Sequence, residues 1–306
     1  MTEDKRRTAD GVVTDDPSKV APVGTVMEFH PTPFKPVIDK GAGAIVNWDY
    51  FGSVLLIISF SDGETYRADG SAVLIGPGLA LAARHVFDPV MDDMLAGKLA
   101  PVAVSILPGE RILIWRVSQI VIGETDVAIL TLNLSSEVPT EGFQVATLTT
   151  RTPTKGEPVM IAGARAGEGA PLGSSLALDV RIGVGEVGDL HLDGRDRVML
   201  PNPCAAISCL TLGGMSGGPA FDQHGNVIGI LTSSFEHDEG PTYVSFWWPV
   251  ILDAIETIWP SDFVPLPTSL NALATGKGLV FIDKPEAIEL IDDSGSNKSF
   301  VYKPWS

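Results

Sequence analysis

The chain has 306 residues, 44% of them hydrophobic and 19% charged. That balance builds a core, excludes wholesale disorder, and at this length allows about two domains or one large double-layered one. The formal net charge is −17, so most of the surface repels phosphate backbones and nucleic acid is not an expected partner.

The 32 glycines and 23 prolines are a loop-rich content that fits a β protein with many turns and is too low for collagen. The apolar runs are short, such as Val54 to Ile58. None approaches the roughly 20 residues that span a bilayer, so no membrane association is expected. The first ten residues carry charges with no apolar stretch behind them, unlike a secretory signal, and a cytoplasmic location is the expectation. Only two cysteines occur, Cys204 and Cys209. Two reduced thiols and one short-loop bridge both fit, but a disulfide scaffold does not. Nothing groups enough ligands for zinc, and no metal or other cofactor is expected.

Residues 1–45 are polar, then punctuated by Pro31, Pro33, Pro36, Gly41 and Gly43, and read as an arm with little core of its own. Residues 46–135 change character. Ser53 to Phe60, Ser71 to Ile75, Leu79 to Ala83, Val102 to Leu107, Arg111 to Ile122 and Val127 to Leu132 have the β-branched content of strands, with turn residues between them. One helix interrupts them, with Asp88 as its N-cap, Pro89 behind it and Gly97 ending it. Residues 136–260 hold a second set: Phe143 to Leu148, Pro158 to Ala162, Ser175 to Val184, Arg197 to Leu200, Pro219 to Phe221, Val227 to Ser233 and Thr242 to Phe246. A helix is predicted to close it, with Ile251, Ala254, Ile255, Ile258 and Trp259 on one face before Pro260. Residues 261–306 form an extension with a strand over Gly278 to Ile282 and a hairpin around Asp292 to Gly295. Two runs of about six strands predict an all-β fold of two tandem six-stranded antiparallel β-barrels, with a C-terminal helix and flanking arms. A parallel α/β fold would need a helix after most strands, and those are missing.

Three segments carry chemistry. In Gly213-Gly214-Met215-Ser216-Gly217-Gly218-Pro219, glycines frame a serine and a strand follows. Glycines permit unusual dihedrals and close approach of a substrate, although a plain glycine-rich turn has the same composition. At the end of the apolar strand Leu79 to Ala83, Arg84-His85-Val86 offers a histidine. A hydroxyl is a weak nucleophile until a base of that kind takes its proton. In Glu124-Thr125-Asp126-Val127-Ala128, an aspartate opens an apolar strand, where it can orient an imidazole or be a simple turn residue.

Together these segments resemble the chymotrypsin/trypsin-like serine protease family. Ala-Ala-Arg-His85-Val is similar to its Ala-Ala-His motif, Asp126-Val-Ala-Ile-Leu to its aspartate strand, and Gly-Met-Ser216-Gly-Gly-Pro to its nucleophile motif. The order His, Asp, Ser is the same, with gaps of 41 and 90 residues against roughly 45 and 93 in the family's template. The resemblance covers about residues 50 to 260, including Asn226 to Leu231 as the family's Gly-Ile-Val strand.

The resemblance implies a serine endopeptidase acting on protein or peptide substrates through an acyl-enzyme, with His85, Asp126 and Ser216 catalytic. It implies an oxyanion hole from the N–H groups of Gly214 and Ser216, and substrate pairing along Leu231, Thr232, Ser233 and Ser234. Leu210 stands six residues before the serine, where the template keeps its acid for basic P1 residues, so a small or apolar P1 is expected. Met215 replaces the aspartate that pairs with a newly cut N-terminus in many zymogens. Arg84 has no counterpart among the small residues that precede the family's histidine.

Two other classes compete. Gly214 to Gly218 satisfies G-x-S-x-G, but an α/β-hydrolase esterase needs a helix after the serine and its histidine last. A catalytically silent protease-like module that binds partners has the same sequence. A protease restrained by its terminal extensions until a regulatory partner binds is a further expectation. His30, His191, His224 and His237 read as surface residues, Trp247-Trp248-Pro249 as packing, and Glu236, Asp238 and Glu239 as a solvated loop.

Overall fold

Runs of β-branched and apolar residues broken by glycine-bearing turns close on themselves here, because a closed sheet leaves no unpaired edge. The structure is a computed structural model. It describes residues 26–31, 37–39, 43–45, 52–62, 65–107, 109, 111–166, 170–171, 178–198, 200–233, 241–261, 264–283, 288–292 and 299–302.

The first barrel contains β1 (Leu55–Ser61), β2 (Thr65–Gly76), β3 (Leu79–Ala83), β4 (Ala100–Leu107), β5 (Arg111–Ile122) and β6 (Val127–Leu134). They pair antiparallel in the order β2-β1-β4-β5-β6-β3, and β3 returns to β2 to close the barrel. All five residues of β3 are buried, which is why its sequence is continuously apolar rather than alternating. The second barrel contains β7 (Pro158–Ala166), β8 (Leu178–His191), β9 (Cys204–Ile207), β10 (Pro219–Phe221), β11 (Val227–Ser233) and β12 (Thr242–Phe246). Its order is β10-β7-β8-β9-β12-β11, closed by β11 on β10. The two barrels share one hydrophobic cluster. Two closed six-stranded antiparallel barrels are the fold that the strand count predicts.

Several local expectations fail for identifiable reasons. Of the strand expected over Arg197 to Leu200, Met199 lies outside the described residues and Arg197, Val198 and Leu200 are in no strand; the Asp196 carboxylate draws in the Val198 N–H at 2.9 Å, and the barrel strand is Cys204–Ile207. Asp88 caps nothing: it opens a 3₁₀ turn, Asp88–Val90, and its carboxylate takes Arg84 Nε at 3.3 Å. The helix proper is only Met91–Leu95. Residues 251–259 form no helix. Ile255 instead exchanges both backbone hydrogen bonds with Thr268, and Gln119 Oε1 accepts from the N–H groups of Glu256 and Thr257. Ile251, Ile255 and Ile258 are still buried, so the apolar spacing marked burial, while tertiary partners took the backbone groups a helix needs. The C-terminal helical segment is Leu270–Lys277, with Ser269 Oγ accepting from Ala272 N at 3.3 Å.

The flanking segments are built onto the connection between the barrels. Phe29–Pro31 runs parallel to Phe143–Val145, and Leu148–Thr149 pairs with Ile282–Asp283. Phe29 stacks on Phe143 at 4.9 Å, and Trp115 and Trp259 complete that aromatic group. The arm also holds a short hairpin, Val37–Asp39 with Gly43–Ile45. Ile288–Asp292 pairs with Ser299–Tyr302 as the expected final hairpin, whose turn lies outside the described residues. Trp247 packs as expected, fully buried with Nε1 donating to Thr149 O at 2.8 Å. His237, Glu236, Asp238 and Glu239 fall outside the described residues.

Beneath the second barrel, Arg151 bridges two buried carboxylates, Glu157 and Asp222 at 2.8 Å. Burial pushes Glu157 up, but the Arg151 hydrogen bonds, the Thr154 N–H and the Arg151 charge outweigh it and hold its pKa below the ordinary value. A carboxylate lowered in the folded state adds stability above its unfolded pKa and loses it as pH falls through the folded one. Arg151→Met therefore leaves two buried charges unpaired and should cost about 3–5 kcal/mol at neutral pH. Urea unfolding of the variant and wild type measures it, and the gap should shrink toward acid. Cys204 and Cys209 are free and buried, and burial pushes each thiol up to about 11. Iodoacetamide at pH 8 should modify neither in the native protein and both after denaturation, read by intact mass.

Candidate active site

The pairing of Ala83 with Val127 sets the end of β3 beside the start of β6. The residues just beyond those ends must therefore meet. Past β3 the chain turns through a 3₁₀ segment, Arg84–Val86, anchored by Arg84 N donating to Asp126 O at 2.7 Å. His85 Nδ1 lies 2.8 Å from Asp126 Oδ2, and His85 N donates to Asp126 Oδ1 at 3.0 Å. A carboxylate accepts only, so Nδ1 carries the proton in the neutral ring and Nε2 is left as the acceptor. The His85 side chain is 40% exposed and that of Asp126 19%. The couple thus leaves the His85 ring partly open to solvent and its carboxylate partner largely covered.

Ser216 comes from the second barrel, ahead of β10. Met215 N donates to Leu212 O at 3.2 Å and closes a turn with Gly214 third, at φ +93°. That position of a type II turn demands a positive φ, hence glycine. Gly217 also has φ +85°, and a Cβ there would lie 2.1 Å from Ser71 O and 2.9 Å from Ala83 N. A Cβ at Gly70 would lie 3.2 Å from Ser216 O and 2.7 Å from Val86 Cγ1. Both glycines are therefore absent side chains that let the serine segment reach the turn bearing His85. Among the described residues, no side-chain hydrogen bond joins Ser216 to His85; their proximity is built by backbone contact.

Backbone hydrogen bonds around Ser216 divide sharply. Gly217 N donates to Leu231 O at 2.8 Å and Gly218 N to Met215 O at 2.9 Å. The N–H groups of Gly214 and Ser216 take no acceptor among the described residues. They flank Met215, whose side chain is buried against Gly163 and whose Sδ accepts from Leu212 N at 3.3 Å. An apolar plug thus occupies the place where a zymogen aspartate would need a cationic partner.

The expected substrate-contacting residues divide as well. Leu210 is 58% exposed, so it floors no enclosed pocket. The buried pair beside it is Thr211 and Thr242, with hydroxyls 2.9 Å apart. Leu231 cannot pair with a substrate backbone, because its N–H and C=O are both committed to the Ser216 segment, at Gly218 and Gly217. The Thr232 hydroxyl points into the barrel toward Ser245 Oγ at 3.1 Å. Ser233 ends β11 and is partly exposed, and Ser234 lies outside the described residues. No group of three or more metal-ligating side chains occurs among the described residues.

One residue at the site escaped the sequence reading. Ser71, fully buried on β2, donates its N–H to Ser216 O at 2.7 Å, and its hydroxyl accepts from Ala164 N at 2.8 Å and donates toward Gly214 O at 3.2 Å. A serine inside an apolar strand is the only sequence signal it leaves. Ser71→Ala strands a buried Ala164 N–H and should cost about 1–3 kcal/mol. Gly217→Ala adds a clash with backbone to a positive φ and should be worse, and urea unfolding orders the two.

A family model described as a trypsin-like peptidase domain matches residues 70–230. No curated protein matches the chain. Among solved structures, Deg5 is 20% identical with a TM-score of 0.46, covering 67% of this chain and 88% of that one. The HtrA-type protease AlgW with a decapeptide is 19% identical with a TM-score of 0.44, covering 65% of this chain and 62% of that one. The MamO protease domain from Magnetospirillum magneticum is 13% identical with a TM-score of 0.46, covering 65% and 94%. The match to the family model takes in more than half of the chain, including the turn of His85, the start of β6 and the Ser216 loop, and the chain belongs to the trypsin-like peptidase domain family.

Proposed function

We propose that the protein is a serine endopeptidase that cleaves peptide bonds through an acyl-enzyme, with Ser216 as nucleophile, His85 as general base and acid, and Asp126 as the carboxylate that orients it. The observation that carries this reading is the His85–Asp126 couple, closed at 2.8 Å by side chains 41 residues apart and set beside a serine from the other barrel.

Ser216 Oγ attacks the scissile carbonyl carbon while its proton passes to His85 Nε2. The resulting oxyanion is received by the Gly214 and Ser216 N–H groups, which take no acceptor among the described residues. His85 then gives its proton to the leaving amine, and the carbon–nitrogen bond breaks. Water, deprotonated by His85, attacks the acyl ester and releases the acid, and the proton returns to Ser216. Asp126 stays ionised throughout and stabilises the imidazolium in both halves.

The substrate is a protein or peptide. No acid stands at the sequence position that selects lysine or arginine, and the buried pair beside it is the uncharged Thr211 and Thr242, so the P1 side chain is small or apolar. No helix among the described residues is long and apolar enough to cross a membrane. Phe29–Pro31 and Ile282–Asp283 pair at the inter-barrel connection, and Leu279 and Val280 lie near Gly76, at the far end of β3 from His85. A regulatory partner acting through these segments would work on the barrel connection.

Ser216→Ala should abolish labelling by a fluorophosphonate probe, and Asp126→Asn should slow it by about 10⁴-fold, the loss known for the equivalent change in the family's template. Gel fluorescence after timed labelling measures both. Wild-type signal that survives in Ser216→Ala would remove the proposal, and a folded wild type that never labels would favour a silent binding module.

A further inference from the structure

Asp126 stands at a corner where the chain enters β6, and its carboxylate is wholly committed to His85. What holds the corner itself is a separate question, because the Asp126 N–H and the Glu124 C=O lie outside the β6 ladder, which begins at Val127. Both are met by one side chain from the second barrel. The Asn202 amide donates from Nδ2 to Glu124 O at 3.2 Å and accepts at Oδ1 from Asp126 N at 3.1 Å, the orientation that pairs donor with acceptor at each end.

The geometry points to Asn202 as a positioning residue of the catalytic couple: a carboxamide that acts as a one-residue strand partner to the Glu124–Asp126 corner and fixes the direction of the Asp126 carboxylate. This rests on the triad reading above. Asn202 suits the task for three reasons. It is 9% exposed, so water competes little for its two hydrogen bonds. It lies between Pro201 and Pro203, whose rings restrict the backbone on both sides. Pro203 O also accepts from Phe246 N at 2.9 Å, and Pro201 O packs against Gly194 at φ +84°. The amide is thus mounted on a stiff support immediately before β9. Its two bonds bracket Thr125, whose hydroxyl turns back on Val127 N at 3.1 Å, so the peptide planes leading to Asp126 have fixed orientations.

The arrangement reciprocates the one made by Ser71. There the first barrel holds the nucleophile loop of the second; here the second barrel holds the carboxylate corner of the first. No substrate atom need touch either residue.

The test is fluorophosphonate labelling of the full chain, resolved into the limiting rate and the probe's KI. Asn202→Ala removes both bonds; Asn202→Asp keeps the volume and the acceptor but loses the donor to Glu124. Loosened orientation with the group still present should lower the limiting rate roughly 10- to 100-fold, with KI within about twofold because the small probe does not reach Asn202. In the Asp126→Asn background, adding Asn202→Ala should change the rate by less than about twofold, since its effect passes through that carboxylate. Labelling is normalised to folded protein by far-UV circular dichroism. A wild-type rate in folded Asn202→Ala, an undiminished loss on top of Asp126→Asn, or failure of both variants to fold would overturn the inference and leave Asn202 a stability residue. Labelling insensitive to Ser216→Ala would instead reject the triad reading itself.

Discussion

Ser71 sits on a strand of one barrel, and its N–H and hydroxyl are spent on the other: Ser216 O, Gly214 O and Ala164 N. Each hydrogen bond contributes only about 1 kcal/mol net, whereas leaving a buried donor unmet costs up to about three times that. The energetic preference is therefore for a single docked arrangement of the barrels rather than for a very stable one. This matters because the two halves of the proposed chemistry are on different barrels. A relative shift of about 1 Å would cost more in rate than the same contacts are worth in stability.

The docking is only possible because side chains are missing where backbones cross. At Gly217 a methyl group would meet the Ser71 carbonyl of the first barrel, and at Gly70 it would meet Val86 and the Ser216 carbonyl of the second. These glycines are structural demands of the barrel contact as much as chemical demands of the serine. The remaining demand is on the turn before Ser216. It is met by Met215, whose burial against Gly163 holds the Gly214 and Ser216 N–H groups in place with no ion pair.

Much of this was legible in the residues. The β3 sequence Leu-Ala-Leu-Ala-Ala is apolar on both faces, and such a run bounded by turns reads as a buried strand. The ends of Arg111–Ile122, Pro219–Phe221, Val227–Ser233 and Thr242–Phe246 coincide with what the turn residues mark. The segment over 251–259 was not legible, because its period-3.6 apolar face is real but its N–H groups answer to Gln119 and Thr268, more than 100 residues and about a dozen residues away respectively. Strand Cys204–Ile207 was missed for a related reason: Cys-Ala-Ala-Ile has little β-branched content, and its place in the sheet is set by β8 and β12 on either side. Leu231 reads from sequence as a substrate-pairing residue, but the Ser216 segment already holds both of its backbone groups.

By itself the chain determined most of the strands, the two-barrel class, and the three side-chain types that a serine protease needs in their order, because periodicity, turn chemistry and motif are local properties. The tertiary structure alone decided that His85 and Asp126 share a hydrogen bond, that Ser71 and Asn202 each serve the opposite barrel, and that Leu210 faces outward. Those facts depend on which distant backbone groups come within about 3 Å of one another, and no local pattern encodes a distance between segments that only packing brings together.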